Sequence, residues 1–375
     1  MDFINLLSSA WPENNFWSSL IKIFDVGSYA WTIILFTVVL KLVLSPLDFL
    51  QRYYTNKTSR VQAKLQPELE KLKKRYGQNQ QLLYQKQNEL YKKHNMGMGG
   101  SCIVMLVYMA VTLTVFLTLF NSLKFISGYK IGKQYEELQT TYYTSYEKEY
   151  YQDYLGIDDL QNFKTLKADE QKALIAEKES LIGDETAVKE NKDTAINNAQ
   201  KAVVEKYKDI KDSWLWIKNI WLPDKASVKE ISTYESFKAS TDVEVSKEEY
   251  NLVMGLLLQG YDNTNNVNGF YVLSVIVVLV SFLSQWFIRK ISQPKAKNGQ
   301  TVNVQQPGLA KAMMWILPIA MLLFTISSSA IFALYIITNS LMSTIITPIS
   351  TVVCNKIEDK KELKRQEQIK VDYRR

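Results

Sequence analysis

The chain has 375 residues and a formal net charge of +7. Its mean hydropathy is only −0.14, yet its apolar residues stand in long blocks. One histidine cannot supply the usual metal or triad sets, and no GxxxxGK[ST], HExxH or GxSxG run occurs. The expectation is a non-enzymatic protein without a cofactor. The basic surplus falls between apolar blocks, which suits anionic lipid first and ribosomal RNA second.

Residues 1–27 contain WPENNFWSSLIKIFDVG (11–27), which reads as an amphipathic helix on the outer surface, with Phe16, Leu20, Ile21 and Phe24 on one face. No arginine-led apolar stretch with a small-residue cleavage site precedes Val26, so the first span is expected to stay in the mature protein. That span, residues 28–50, takes in most of an apolar run from Val26 to Leu47 whose only charge is Lys41. The run is long enough for a bilayer, where about 20 apolar residues suffice. A cation inside a span costs roughly 2.5–3.5 kcal/mol on insertion scales and normally faces a partner or water. Snorkelling is the competing reading, because Lys41 lies only roughly 9 Å of helical rise before Leu47. Helical side chains lean toward their own N-terminus, here away from the nearer surface, which favours a polar cavity.

Residues 51–100 hold 11 Lys/Arg against 3 Asp/Glu and read as a basic helical hairpin, with a plain spacer as the alternative. Leu65, Leu69, Leu72 and Tyr76, then Leu83, Leu90 and Tyr91, fall at helical spacing. Pro67 is expected in a first turn, and Gly77 as a stop after Lys71, Lys73, Lys74 and Arg75. His94 reads as a solvated helix end. The second span covers residues 101–126. Residues 127–268 form an insertion whose Gly- and Pro-free runs, such as LKADEQKALIAEKESLI, predict helices. Tyr142, Tyr143, Tyr146, Tyr150, Tyr151 and Tyr154 read as packing or membrane-boundary aromatics. The third span, 269–290, leads into the basic loop 291–311. Met313–Cys354 has 42 residues without a charge, enough for two crossings. These are expected at 312–328 and 330–353, with a turn at the serine cluster Ser327–Ser329. The tail 354–375 is basic.

Charge alternates at every crossing. Residues 51–100 have net charge +8, 125–268 have −8, 289–311 carry five basic residues and no acid, and 355–375 have +3. Basic segments stay on the cytoplasmic side. The reading is an all-α polytopic protein of the cell membrane with five spans, a cytoplasmic hairpin and a mainly helical extracellular insertion. Its N-terminus lies outside and its C-terminus in the cytoplasm. Cys102 and Cys354 then both lie at cytoplasmic span ends, so no structural disulfide is expected. Tyr108, Gln285, Thr338 and Asn339 are uncharged polar groups inside spans and join Lys41 as candidate groove residues. Helix–helix glue is the alternative for each.

Taken in order, these features resemble the YidC/Oxa/Alb membrane protein insertase family. KLVLSPL (Lys41–Leu47) resembles the family's basic residue followed by Pro-Leu, and LQPELEKLKKRYG (Leu65–Gly77) the start of its cytoplasmic hairpin. HNMGMGGSCIVMLVYM (His94–Met109) resembles the start of its second span, and SWLWIKNIWLPD (Ser213–Asp224) its external Leu-Trp…Pro-Asp segment. FLSQWF (Phe282–Phe287) and LYIITN (Leu334–Asn339) resemble parts of its third and last spans. The resemblance covers about residues 17–126, 211–224 and 269–353. It implies a hydrophilic groove, open to cytosol and lipid, in which Lys41 stands where the family usually has arginine. Lysine keeps the charge and loses the bidentate fork. Val104, Tyr108, Ala110, Ser329 and Ile331 also depart from the family's usual residues. The implied function is insertion and folding of membrane proteins. The implied partners are nascent membrane proteins, anionic lipid, the ribosome and the protein translocon, with an unidentified partner for residues 127–268. A transporter using Lys41 as counter-ion is one alternative, though it would normally show repeat symmetry. A membrane assembly scaffold is another.

Overall fold

A computed structural model describes residues 16–93, 98–260, 266–292 and 308–372. Of these residues 83% are helical, and none forms a strand beyond two isolated bridges. His94, residues 11–15, Lys295 and Lys297 lie outside the described residues. The helices are α1 (Phe16–Lys22), α2 (Tyr29–Tyr76), α3 (Gln80–Lys93) and α4 (Met98–Tyr146), the last continued by a π-helical segment (Glu147–Tyr154). Then come α5 (Leu160–Thr165), α6 (Ala168–Ile182), α7 (Glu185–Ile210), α8 (Tyr234–Ser240) and α9 (Lys247–Gly260). The last three are α10 (Val272–Ser292), α11 (Gly308–Ser327) and α12 (Ala330–Asp372). The chain falls into two compact units. One is built from Met1–Ser122, Leu273–Thr325 and Phe332–Arg375, the other from Leu123–Val272 and Ile326–Ile331.

Among the described residues three stretches are long and apolar enough to cross a membrane: Tyr29–Val61, Ile103–Tyr154 and Ala330–Gln368. Val272–Ile288 and Pro318–Ser327 are shorter apolar helices. The α1 face that packs on α2 carries Trp17 and Ile21, so the expected face is met at Ile21, while Phe16 is exposed and Trp17 takes its place. Trp17 and Phe24 both meet the ring of Phe36, at 6.2 and 6.1 Å. Phe116 and Phe120 of α4 pack with Phe324 and Phe332 at 4.9–6.0 Å, joining α4, α11 and α12.

α2 is 48 residues long and runs through both Pro46 and Pro67, so the expectation that Pro67 opens a helix is overturned. A proline inside a helix orphans the carbonyl four residues back. For Pro46 that carbonyl belongs to Leu42, and Ser45 Oγ donates to it at 2.7 Å. Pro67 lies in the charged part of α2, where water can take the freed carbonyl. The helix ends before Gly77, where a Cβ would lie 2.6 Å from the Lys73 carbonyl oxygen. Asn79 Oδ1 then accepts from Leu82 N at 3.0 Å and caps α3. α2 and α3 pack together as a hairpin.

The second unit is built on aromatic packing. Tyr142, Tyr146, Tyr150 and Tyr154, four residues apart, stack ring on ring at 5.5–6.1 Å. Tyr150 is buried with Leu155, Ile157, Phe163 and Ala195. The tyrosines therefore serve as packing groups here. Tyr135, Phe237 and Tyr250 form a second cluster, and burial pushes the Tyr250 hydroxyl above its ordinary pKa.

The segment Asn219–Asp224 has a specific task in this unit. Asn268 Nδ2 donates to the carbonyls of Asn219, Leu222 and Pro223, while Asn268 Oδ1 accepts from Asn219 N. So held, Leu222 and Ile220 turn their carbonyls to the N–H groups of Ala330 and Ile331, at 3.0 and 3.2 Å. Those N–H groups open α12 and have no partner within their own helix. At Gly269 a Cβ would lie 1.8 Å from Asp224 Oδ1 and 3.2 Å from the Asp224 Cα, so a larger residue there would force Asp224 to shift.

Candidate functional site

The spacing of Lys41, Ser45, Asp48, Arg52, Asn56 and Arg60 puts a polar stripe along one face of α2. At its apolar end Lys41 Nζ lies 2.9 Å from Asp48 Oδ2, with side chains only 11% and 13% exposed. Asp48 also accepts a hydrogen bond from the Tyr108 hydroxyl of α4, and Arg52 interacts electrostatically with both Asp48 and Tyr108. The group holds two cations, one carboxylate and one phenol. A buried charge without a partner is strongly unfavourable, so these side chains hold one another in place.

The direction of Lys41 differs from the expected one. Its amine reaches toward the C-terminal end of α2, not the N-terminal end. Asp48, two turns on, leans back along the same face, and the four-carbon stem of lysine closes the remaining gap.

Sequence reasoning missed Asp48 and Arg52 because the apolar run was bounded at Leu47. The signal was present: residues 7 and 11 positions beyond Lys41 return to its face of a helix. Thr338 is buried, and Asn339 and Gln285 are half-buried. Among the described residues no hydrogen bond or ion pair ties their side chains to Lys41, Asp48 or Tyr108. Next to Gln285, Ser284 shares a 2.5 Å hydrogen bond with Thr344, joining α10 to α12. A cleft of about 350 Å³ lies beside the stripe, lined by Ser45, Pro46 and Phe49 of α2 and Ile346, Ile349 and Ser350 of α12.

Beyond Arg52 the stripe pairs with α12. Asn56 Nδ2 donates to Asn355 Oδ1 at 2.8 Å, Arg60 Nη1 bonds Asp359 at 2.7 Å, and Lys64 bonds Glu362 at 2.8 Å. Both numbers rise together, so the two helices run parallel. Lys361 returns the contact by bonding the Tyr53 hydroxyl at 2.5 Å, its amine 4.9 Å from that ring centre.

Residues 21–176 match the family model described as "60Kd inner membrane protein". Three proteins, each named "Membrane protein insertase YidC", are similar to the chain. The one from Fusobacterium nucleatum is 36% identical over 91 residues, 24% of this chain and 42% of that protein. The Clostridium tetani protein is 34% identical over 101 residues, 27% of this chain and 44% of its own length. The Nitratidesulfovibrio vulgaris protein is 34% identical over 99 residues, 26% and 18% of the two lengths. Across residues 21–176 the chain is similar to the YidC/Oxa/Alb family. The aligned stretch spans less than half the length of each of these relatives. No solved structure matches the chain. The family match includes Lys41, Asp48, Arg52 and Tyr108, and it runs past residue 126 into the insertion. Gln285, Thr338 and Asn339 lie beyond it.

Proposed function

We propose that the chain is a membrane protein insertase and folding aid, working without cofactor or covalent chemistry. The observation that carries this reading is the Lys41-centred polar group on an apolar helix, inside the segment that matches the YidC/Oxa/Alb family. A cation in a low-dielectric cavity attracts the carboxylates of an incoming segment's polar flank. That attraction lowers the barrier to moving the flank while the apolar part of the segment slides into lipid. Lys41, Tyr108, Gln285, Thr338 and Asn339 line the proposed groove.

Nascent membrane proteins are the substrates in this reading, and anionic lipid, the ribosome and the translocon its neighbours. The hairpin of α2 and α3 supports it with a cleft of about 730 Å³ lined by Lys71, Lys74, Arg75, Lys86 and Lys93 against Glu68 and Glu89. In the tail, Asp359, Lys361 and Glu362 are engaged with α2, which leaves Lys356, Lys360, Lys364 and Arg365 outside that ladder for an anionic surface.

The test is an insertion assay with substrates that differ only in an acidic or a neutral translocated tail. Lys41→Arg is expected to retain activity and Lys41→Ala to fail most on the acidic tail. Lys41→Glu should be worst, because it repels the same carboxylates. Equal insertion of both tails by Lys41→Ala would overturn charge attraction as the mechanism.

A further inference from the structure

We propose that Asp48 is a specificity-determining residue, an internal carboxylate that occupies Lys41 until a substrate carboxylate displaces it. The proposal rests on the insertase reading above and deepens it. A lone cation in the groove would bind any acidic side chain that reached it. Here the cation is already paired, at 2.9 Å, by a carboxylate tethered to the same helix. Such tethering gives Asp48 an effective concentration on the order of millimolar or higher, so a substrate carboxylate must outcompete it.

Displacement does not strand Asp48. Arg52 follows it by four residues on the same face and already interacts with it, and the Tyr108 hydroxyl already donates to it. The carboxylate can leave Lys41 and remain held by Arg52 and Tyr108, which avoids the severe cost of a buried unpaired charge. No bond forms or breaks in the exchange. Two cations share one internal carboxylate, so the group keeps one net positive charge, and the arriving acid neutralises it. The group therefore favours segments that present more than one acid, or one held near Lys41 long enough to exchange.

Two measurements test this. The first compares insertion of acidic-tail and neutral-tail substrates by the unaltered protein and by Asp48→Asn. Removing the tethered competitor should raise the acidic-to-neutral ratio for a singly acidic tail roughly tenfold. The second uses the unaltered protein in membranes treated with a lipid-soluble carbodiimide. This reagent activates a carboxyl group, the lysine amine attacks it, and an amide forms with release of the urea. Peptide mass spectrometry should find a Lys41–Asp48 amide. Excess acidic-tail substrate should replace it with a Lys41–substrate amide, whereas a neutral-tail substrate should not. A Lys41–Asp48 link untouched by acidic substrate, or a ratio unchanged in a folded Asp48→Asn protein, would overturn the role of Asp48. The cross-link exchange decides the matter even where Asp48→Asn does not fold. Failure of the unaltered protein to insert either substrate would sink the insertase reading instead.

Discussion

Lys41 is not tolerable alone where it lies, because its side chain is nearly buried and the flanking positions are apolar, and its counter-charge is Asp48 on the same helix. Each replaces the water the other has lost. Removing one partner of such a pair costs about 3–5 kcal/mol, while replacing both with apolar groups of similar size is often neutral. In detergent-solubilised protein, Asp48→Leu, which strands Lys41, should lower stability by about that much, and Lys41→Met by less, because Arg52 and the Tyr108 hydroxyl still hold Asp48. The double variant should lose far less than their sum. Thermal unfolding of the four proteins closes the cycle, and simple additivity would show that the two side chains do not stabilise one another. That an ion belonged at Lys41 was legible from a single charge in an apolar run. Its partner is not legible from that run, which ends one residue before Asp48. Tyr108 entered as a polar group within a span, but its contact with Asp48 depends on how α4 packs against α2. Local sequence does not carry that information.

Helix composition and the serine break between α11 and α12 are both written in local pattern. Helix length is not. α2, α4 and α12 run on as single helices through the points where the hydropathy falls, since charged residues such as lysine and glutamate are good helix formers too. The pairing of α2 with α12 is equally hidden, because its contacts join residues 298 to 299 positions apart. Each exposed ion pair of this kind contributes only about 0.2–1 kcal/mol, so register is the sharper test. With Cys102 and Cys354 replaced by serine, Asn56→Cys with Asn355→Cys should oxidise readily to a disulfide. Lys64→Cys with Asn355→Cys, two turns out of register, should not. Equal rates, measured by gel shift after proteolysis between the helices, would mean that the parallel ladder does not exist in the membrane.

At the scale of the whole molecule the open quantity is the number of crossings, and charge supplies the argument. Three stretches are long and apolar enough to cross alone, whereas α10 and α11, of 21 and 20 residues, contain the two shorter apolar helices. Three crossings and five crossings both put residues 51–100 and the tail on one side and most of 127–268 on the other. They differ only in the loop between α10 and α11. With three crossings that loop stays outside; with five it enters the cytoplasm. Residues 289–311 carry Arg289, Lys290, Lys295, Lys297 and Lys311 and no acid, and a short loop of that composition is retained on the cytoplasmic side. Single cysteines at Asn79, Asn197 and Asn298, again with Cys102 and Cys354 replaced, should therefore divide in one way. Asn197→Cys should react with a membrane-impermeant maleimide in intact cells, and Asn79→Cys only after permeabilisation. Asn298→Cys is the deciding position and should behave like Asn79→Cys. If it reacts in intact cells, α10 and α11 do not cross, the count falls to three, and Gln285 leaves the proposed groove.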